Sequence, residues 1–261
     1  MEAAVLQCVR GAWLVKDWRV SVLRAAIAGQ QGGYNKDPAL HLRLAETVID
    51  AALAEGIYIV VDWHAHEPRP DLAAEFFGKI ARKYRGVPNL IYETYNEPLP
   101  KHGWADVLKP YHGKVIGAIR AIDPGAFVVA GTRSWTQDVD EAAADPLPFA
   151  NVAYALHYYA ATHRQELRDK ADRALARGAA LFVTEYGVTA ADGDEPIDAA
   201  EAQRWWDWCE ANGVSHLAWS INDKDEASAA LLPGSAPKGG WGPDRLSAAG
   251  KLARAHIRSK Q

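Results

Sequence analysis

The chain has 261 residues, 49% of them hydrophobic, and a formal net charge of −4. This length suits one domain with a sizeable core, and the charge provides no broad basic field that would attract nucleic acid or an anionic membrane surface. No uninterrupted apolar stretch approaches the ~20 residues that span a bilayer, residues 1–10 lack the basic-then-apolar layout of a signal peptide, and two cysteines are too few for a disulfide framework. We therefore expect neither nucleic acid nor a membrane as a partner.

Seven short apolar runs alternate with helix-like segments along the chain. The runs cover 20–27, 57–64, 90–97, 126–131, 152–159, 180–186 and 216–221. Near-continuous apolar runs of this length are typical of parallel strands that are buried on both faces. Helical spacing that ends at a glycine marks the segments 38–55, 165–177 and 199–212. The alternation predicts an α/β barrel with a parallel sheet.

The pattern stops one strand short of a closed barrel. A (β/α)8 barrel needs eight strands, whereas residues 2–18 have roughly helical spacing and leave hardly any room for a strand before residue 20. No linker, repeat or low-complexity tract divides the chain. We therefore predict one domain over residues 1–261, a (β/α)8 TIM barrel whose N-terminal strand is missing or rearranged.

Polar residues fall at or near the C-terminal ends of six predicted strands. They are Arg24, His64, Asn96 with Glu97, His157 with Tyr159, Glu185 and Trp219. Any one alone is a weak signal, because a lone arginine is more often a structural ion-pair partner and a lone histidine a hydrogen-bonded core residue. Barrel enzymes place their catalytic groups at this end of the strands. The agreement of six strands favours a functional site.

Two of these residues, Glu97 and Glu185, have the chemistry to cleave a glycosidic bond. They lie far apart in the chain, so they are not one local ion cluster, and in a single barrel their carboxylates would face each other across its mouth. Two carboxyl groups in different environments can act as proton donor and as nucleophile or base. A separation of ~5–5.5 Å gives retention and ~6.5–9.5 Å gives inversion, and the sequence leaves that distance open.

Six sequence blocks in a fixed order carry a resemblance to a known family. They cover 22–26, 61–64, 91–98, 156–160, 182–187 and 218–220, the last leading into 223–231. In these blocks the chain resembles glycoside hydrolase family 5, and specifically its bacterial endoglucanase branch, from about Trp13 to the C-terminus. The resemblance implies a single catalytic domain that hydrolyses cellulose-like β-glucan with retention, uses no cofactor and no metal ion in its site, and is secreted; structural metal ions stay open.

The resemblance also implies a role for each polar residue. Glu97 would be the acid/base with a raised pKa, and Glu185 would be the ionised nucleophile. Arg24 would favour the charged form of Glu185, and Tyr159 would hydrogen-bond that carboxylate. Asn96 would bind the sugar 2-hydroxyl.

The remaining residues implied by the resemblance would bind the sugar chain. His64 and His157 would line the cleavage site, and Trp219 would be a platform for a sugar ring. Lys224 and Glu226 would bind hydroxyls further along the glycone side. Trp135 is a candidate platform at the rim, with packing in a loop or core as an equal alternative.

Two departures from the family pattern affect substrate binding. The family's first strand, with a histidine and a tryptophan on its loop, is missing, and a tyrosine that usually follows the strand of Arg24 is replaced in residues 28–30. The gap would expose two strand edges and an apolar hole, which a rearranged N-terminus or self-association could fill. We expect the chemistry to be present with lowered activity.

Other readings of the sequence stay open at this stage. His64 and His66 share one face of a strand end, as zinc ligands of some metal-dependent hydrolases do. A non-catalytic or weakly active carbohydrate-binding barrel would retain both glutamates as well. The preferred polysaccharide is also open, because enzymes with the same blocks cleave xylan, mannan, lichenan and xyloglucan.

Overall fold

Seven parallel strands form one sheet whose spatial order follows the chain. The computed structural model describes residues 8–30, 32–237 and 239–260. The strands are β1 Val22–Ala28, β2 Tyr58–His64, β3 Leu90–Glu93, β4 Phe127–Ala130, β5 Val152–Tyr159, β6 Leu181–Gly187 and β7 His216–Ala218. Each strand pairs in parallel with the next one along the chain. The sheet curves into a nearly closed barrel, which confirms the predicted (β/α)8-type fold.

Helices precede the first strand, connect the strands and follow the last one. In the described residues they are α1 Cys8–Trp13, α2 Pro38–Ala54, α3 Pro70–Lys83, α4 Lys109–Arg120, α5 Arg133–Thr136, α6 Val139–Ala144, α7 Gln165–Ala176, α8 Ala199–Ala211 and α9 Ala248–Ser259. The side chain of Asp37 caps the start of α2 and that of Asp198 the start of α8. Gly56 and Gly213 follow these two helices at positive φ, so the predicted stop signals are confirmed. None of the described helices is long and apolar enough to cross a membrane.

The third strand is shorter than the apolar run that predicted it. β3 ends at Glu93, although the run extends to residue 97. The amide of Thr94 donates to the carbonyl of Val129, whereas the amide of Asn96 donates to that of Trp63 on the opposite neighbour. This change of partner ends the regular ladder, and residues 94–99 form an irregular segment at the mouth of the barrel.

The sheet does not close between its first and last strands. Among the described residues, β1 pairs only with β2 and β7 only with β6. A cavity of about 430 Å³ lies at this opening, and its lining includes Leu14, Trp18, Leu23, Leu217 and Ile257. The predicted unpaired strand edges and apolar hole are therefore present.

The N-terminal segment covers part of the opening. α1 continues into the π-helical turn Leu14–Trp18, so the predicted helix over 2–18 is confirmed from residue 8 onward, and residues 1–7 lie outside the described residues. Leu14 and Trp18 pack in an apolar cluster with Trp241, Leu246 and Ala253. The N-terminal segment thus packs against the C-terminal part of the chain.

A bidentate ion pair fixes this segment to α9. Arg254 donates from Nε and Nη2 to the two carboxylate oxygens of Asp17, at 2.7 Å each, and Arg258 donates to the Asp17 carbonyl. The hydrogen bond from Arg254 lowers the pKa of Asp17, an effect that partial burial opposes. The pair therefore stabilises the folded state when Asp17 is ionised.

We expect Asp17→Asn to lower the free energy of unfolding at pH 7 by about 1–2 kcal/mol. Because the pKa of Asp17 is lower in the folded state than its ordinary value of 3.8, this contribution is complete above that value and is lost as the pH falls through the folded pKa. Urea unfolding of wild type and variant at neutral and acidic pH measures both effects.

Asp71→Asn is the matched control for this measurement. Its side chain is 83% exposed and pairs with Lys114 on the surface, so the free energy of unfolding should change by less than about 1 kcal/mol. Equal losses for the two variants at pH 7 would contradict the role assigned to Asp17.

Candidate active site

Eight of the predicted site residues form one contact network at the C-terminal mouth of the barrel. His64 and Tyr159 are the last residues of β2 and β5, Glu185 lies in β6, and Trp219 follows β7 directly. The members of the network are Arg24, His64, Asn96, Glu97, His157, Tyr159, Glu185 and Trp219. Hydrogen bonds through Thr184 and Glu93 join His157 and Glu97 to the others. Arg24 departs from the predicted placement at a strand end, because it lies inside β1 and reaches the site with its long side chain.

The carboxylates of Glu97 and Glu185 approach each other closely. An oxygen of each and a ring nitrogen of His157 all lie within 4.8 Å of one another. Such a close approach of the nearest oxygens fits the carboxyl pair of a retaining glycosidase, ~5–5.5 Å apart, better than the ~6.5–9.5 Å pair of an inverting one. The side chain of Glu185 is 5% exposed and that of Glu97 16%, so both face a partly enclosed mouth.

The His-x-His pair does not form a ligand cluster. Among the described residues, the one group of three metal-capable side chains is Glu97, His157 and Glu185, and it contains neither His64 nor His66. The Nδ1 atom of His64 is hydrogen-bonded to Asp62, and that of His66 to the backbone carbonyl of Glu97. The geometry therefore gives no support to a metal-dependent hydrolase built on these two histidines.

Arg24 is surrounded by carboxylates. Its guanidinium, 6% exposed, lies 2.9 Å from Asp62, 2.6 Å from Glu93 and 2.9 Å from Glu185. Burial lowers the pKa of Arg24, but the three carboxylates outweigh burial and raise it. A permanent cation thus lies against Glu185, and it also donates to the Asn96 Oδ1 atom at 2.7 Å.

Two buried acids of this cluster were not among the predicted site residues. Asp62 and Glu93 are fully buried and lie inside apolar runs, where a carboxylate needs partners to offset its burial. An acid inside an apolar run was the signal in the sequence that could have identified both residues. Burial raises the pKa of Asp62 despite the opposing charge of Arg24, whereas for Glu93 the charges of Arg24 and His157 outweigh burial and lower the pKa to about 2.

The contact with His157 reverses the pKa shift that the sequence predicted for Glu97. Its Nδ1 atom lies 3.0 Å from the Glu97 Oε1 atom. Burial lowers the pKa of His157, but Glu185, Glu93 and Glu97 outweigh burial and raise it to about 9. Burial raises the pKa of Glu97, but the hydrogen bond and charge of His157 outweigh burial, and the net pKa lies below the ordinary value. The expected raised pKa is therefore wrong for the free protein, where an ion pair with His157 holds Glu97 ionised.

Tyr159 and Arg24 hold Glu185 from two sides. The Tyr159 hydroxyl donates to Oε1 at 2.7 Å and Arg24 Nη1 donates to Oε2 at 2.9 Å. Burial and the neighbouring Glu185 charge raise the pKa of Tyr159, so its hydroxyl keeps the proton that it donates. A methyl group on Gly187, the last residue of β6, would overlap the Tyr159 ring, which explains why this strand ends in glycine.

His64 and Trp219 form an aromatic surface beside the acids. Their rings are parallel, with 5.4 Å between centroids and 3° between planes, and Arg24 lies 5.9 Å from the Trp219 ring centre. Burial lowers the pKa of His64, but its hydrogen bond to Asp62 outweighs burial and raises it. The indole is half-buried and lies directly after β7, beside the acids.

The other predicted sugar-binding residues lie in the loop after β7 and in the short segment α5. Lys224 and Glu226 are in the loop after β7, where Glu226 accepts a hydrogen bond from the Ser228 hydroxyl at 2.9 Å. Trp135 is 45% exposed, so it is not a core residue. Its backbone amide donates to the carbonyl of Pro98, which places it next to the segment that carries Glu97.

A nearly closed parallel barrel with two acids this close at its mouth has the architecture of a retaining glycoside hydrolase. The cellulase (glycosyl hydrolase family 5) model matches residues 10–225. The chain therefore belongs to glycosyl hydrolase family 5.

Named relatives and solved structures agree with this family. The chain is 45% identical over 252 residues to endoglucanase A of Evansella cellulosilytica, covering 94% of this chain and 51% of that protein. It is 44% identical over 249 residues to endoglucanase Z of Dickeya dadantii, covering 94% and 56%. The chain spans about half the length of the curated relatives it matches.

Two solved structures describe the same fold. A structure from Cytophaga hutchinsonii superposes with a TM-score of 0.97 at 42% identity, covering 98% of this chain and 85% of that one. The catalytic domain of a Thermobifida fusca endoglucanase, solved also as a variant in complex with cellotetraose, has a TM-score of 0.91 at 30% identity and covers 98% and 87%.

We expect Arg24→Met to lower the free energy of unfolding by about 3–5 kcal/mol, because it leaves buried carboxylates without their cation. Arg173→Met is the control, since Arg173 is 51% exposed and pairs with Asp140 on the surface, and should cost less than about 1 kcal/mol. Urea unfolding at pH 7 measures both. A loss at Arg24 no larger than at Arg173 would contradict the structural role of the buried cluster.

Proposed function

We propose that this protein is a retaining endo-β-1,4-glucanase that hydrolyses internal bonds of cellulose-like β-glucans by double displacement. The approach of Glu97 and Glu185 to within 4.8 Å carries the proposal. The endoglucanase names of the relatives and the cellotetraose complex of a structural neighbour support the substrate class. In this proposal residues 1–261 act as a single catalytic domain, outside the cell, where polymeric glucan is accessible.

The first displacement uses Glu185 as nucleophile. One of its oxygens forms a bond to the anomeric carbon while the bond from that carbon to the leaving oxygen breaks. Arg24 and Tyr159 each donate to one oxygen of Glu185, so the carboxylate is oriented before substrate arrives. Glu97 gives a proton to the leaving oxygen as that bond breaks.

The proton for this step is held by the Glu97–His157 pair. In the free protein it lies on His157 Nδ1, which faces Glu97 at 3.0 Å, and it passes to Glu97 when bound glucan displaces water and disfavours the ion pair. Glu97 then acts as base in the second displacement, taking a proton from the water that attacks the anomeric carbon and releases Glu185.

Other side chains bind the glucan. The Asn96 Oδ1 atom accepts from Arg24, which leaves its amide group to donate to the 2-hydroxyl, a contact that strengthens in the transition state. Trp219 and His64 provide the platform at the cleavage site, Lys224 and Glu226 bind hydroxyls on the glycone side, and Trp135 is a rim platform next to Glu97.

We expect Glu185→Gln to abolish release of reducing sugar from carboxymethylcellulose and Glu97→Gln to lower it by about 10²–10⁴-fold. Both variants should still bind cellotetraose, because each removes one charge and little shape. Glu210→Gln, on the surface of α8 and paired with Lys260, is the control and should retain activity. A wild type that binds glucan but releases no sugar would favour the carbohydrate-binding alternative.

Substrate preference and stereochemistry need separate measurements. A panel of carboxymethylcellulose, xylan, mannan, lichenan and xyloglucan should give the highest rate on unsubstituted β-1,4-glucan. Proton NMR of the first products should show the β-anomer before mutarotation, and an initial α-anomer would contradict retention.

We also propose that the opening between β1 and β7 is a surface for self-association. Unpaired strand edges are templates for pairing with another chain, and the cavity there is largely apolar. Static light scattering across a concentration series should give a mass that rises toward a dimer. A constant monomer mass throughout the series would remove this proposal.

A further inference from the structure

The fully buried carboxylate of Glu93 connects the two halves of the site. Its Oε2 atom accepts from Arg24 Nε at 2.6 Å, and its Oε1 atom accepts from Arg24 Nη2 at 3.2 Å and from the Thr184 hydroxyl at 2.6 Å. Arg24 in turn donates to Glu185, whereas Thr184 is hydrogen-bonded to His157. Glu93 is therefore linked to Glu185 through Arg24 and to Glu97 through Thr184 and His157.

The Thr184 hydroxyl fixes which ring nitrogen of His157 carries a proton. The hydroxyl has one proton, and it is donated to Glu93 at 2.6 Å. Its oxygen therefore accepts from His157 Nε2, which lies 2.9 Å away. With Nε2 protonated in every state, the opposite nitrogen and Glu97 share a single proton across 3.0 Å. That proton is the one that the proposed mechanism delivers to the leaving oxygen.

The charges around His157 decide where the shared proton lies. Three carboxylates face the ring: Glu93 at 3.6 Å from Nε2, Glu97 at Nδ1, and Glu185 on the neighbouring strand. The Arg24 cation lies beyond Glu93 and Glu185 and opposes them in part, and Tyr159, on the same strand as His157, stays neutral. Glu93 stays ionised, its pKa being about 2, so its charge favours the protonated ring throughout the working pH range.

Glu93 also sets the direction of the Arg24 side chain. It accepts from Nε and Nη2 along one side of the guanidinium, which leaves Nη1 to donate to Glu185 at 2.9 Å. A side-on pair of this kind fixes a planar guanidinium more tightly than a single hydrogen bond does.

We propose that Glu93 is a positioning residue for the glucanase reaction, orienting Glu185 through Arg24 and retaining the proton of the Glu97–His157 pair through Thr184. This role rests on the proposed function. Glu93 lies beneath the site and does not contact the glucan, yet it controls both displacement steps.

The test is the pH dependence of kcat/KM for Glu93→Gln on a soluble β-glucan. Loss of the negative charge destabilises the protonated His157 ring, so the shared proton leaves at lower pH. We expect the alkaline limb of the profile to move down by about one pH unit, with kcat lowered by about 10–100-fold and KM little changed. NMR titration of the His157 ring should give the same shift in the absence of substrate.

Variants at Thr184 separate positioning from packing. Thr184→Val keeps the shape but removes the hydroxyl, and should move the alkaline limb in the same direction as Glu93→Gln, whereas Thr184→Ser should restore the wild-type profile. Asp62→Asn removes another buried carboxylate from Arg24 but leaves the Thr184 link intact, so its alkaline limb should move less.

The outcomes are distinguishable. A Glu93→Gln protein with lowered activity but a wild-type alkaline limb and a wild-type His157 titration would overturn the role. If Glu93→Gln does not fold, a Thr184→Val profile identical to wild type would overturn it instead. Inactivity of the wild type on every glucan would overturn the proposed function first and the role of Glu93 with it.

Discussion

The buried guanidinium of Arg24 is the contact on which the candidate site depends. It brings together carboxylates from β2, β3 and β6, strands that are not all neighbours in the sheet. One cation among three acids leaves an excess of negative charge in a region of low dielectric. Two of these acids, Glu93 and Glu185, act together with Glu97 to favour a proton on His157, so the structural ion cluster and the proton supply of the reaction share the same charges.

This balance explains why an acid/base residue can have a lowered pKa in the free protein. A proton on His157 is close enough to Glu97 to be transferred along an existing hydrogen bond, and substrate that excludes water disfavours the separated charges. The pair titrates as a unit rather than as two independent groups. Once Glu185 is esterified, one of the three negative charges that support the His157 cation is gone. The proton affinity of the Glu97–His157 pair then falls, so Glu97 is left unprotonated and able to act as base.

The sequence predicted the seven strands, their order and eight members of the site network, because buried parallel strands are apolar runs and the polar residues that follow them stand out. It overestimated β3, since hydrogen bonds to Val129 and then to Trp63 end the ladder in a way that composition does not encode. Asp62 and Glu93 were visible as acids in apolar runs, but their partner Arg24 is distant in the chain. The pKa of Glu97 depends on His157 across a space that only the folded barrel defines.

The ion pair of Asp17 with Arg254 joins segments that are 237 positions apart. Nearly all of the described chain must emerge from the ribosome before this contact can form, whereas β1 and its unpaired edge emerge early. During that interval the edge of β1 is available to other nascent chains. Because α9 is synthesised late, this barrel is most exposed to aggregation during biosynthesis. Loss of α9 should therefore lower the soluble yield more than it lowers the activity of the glutamate pair.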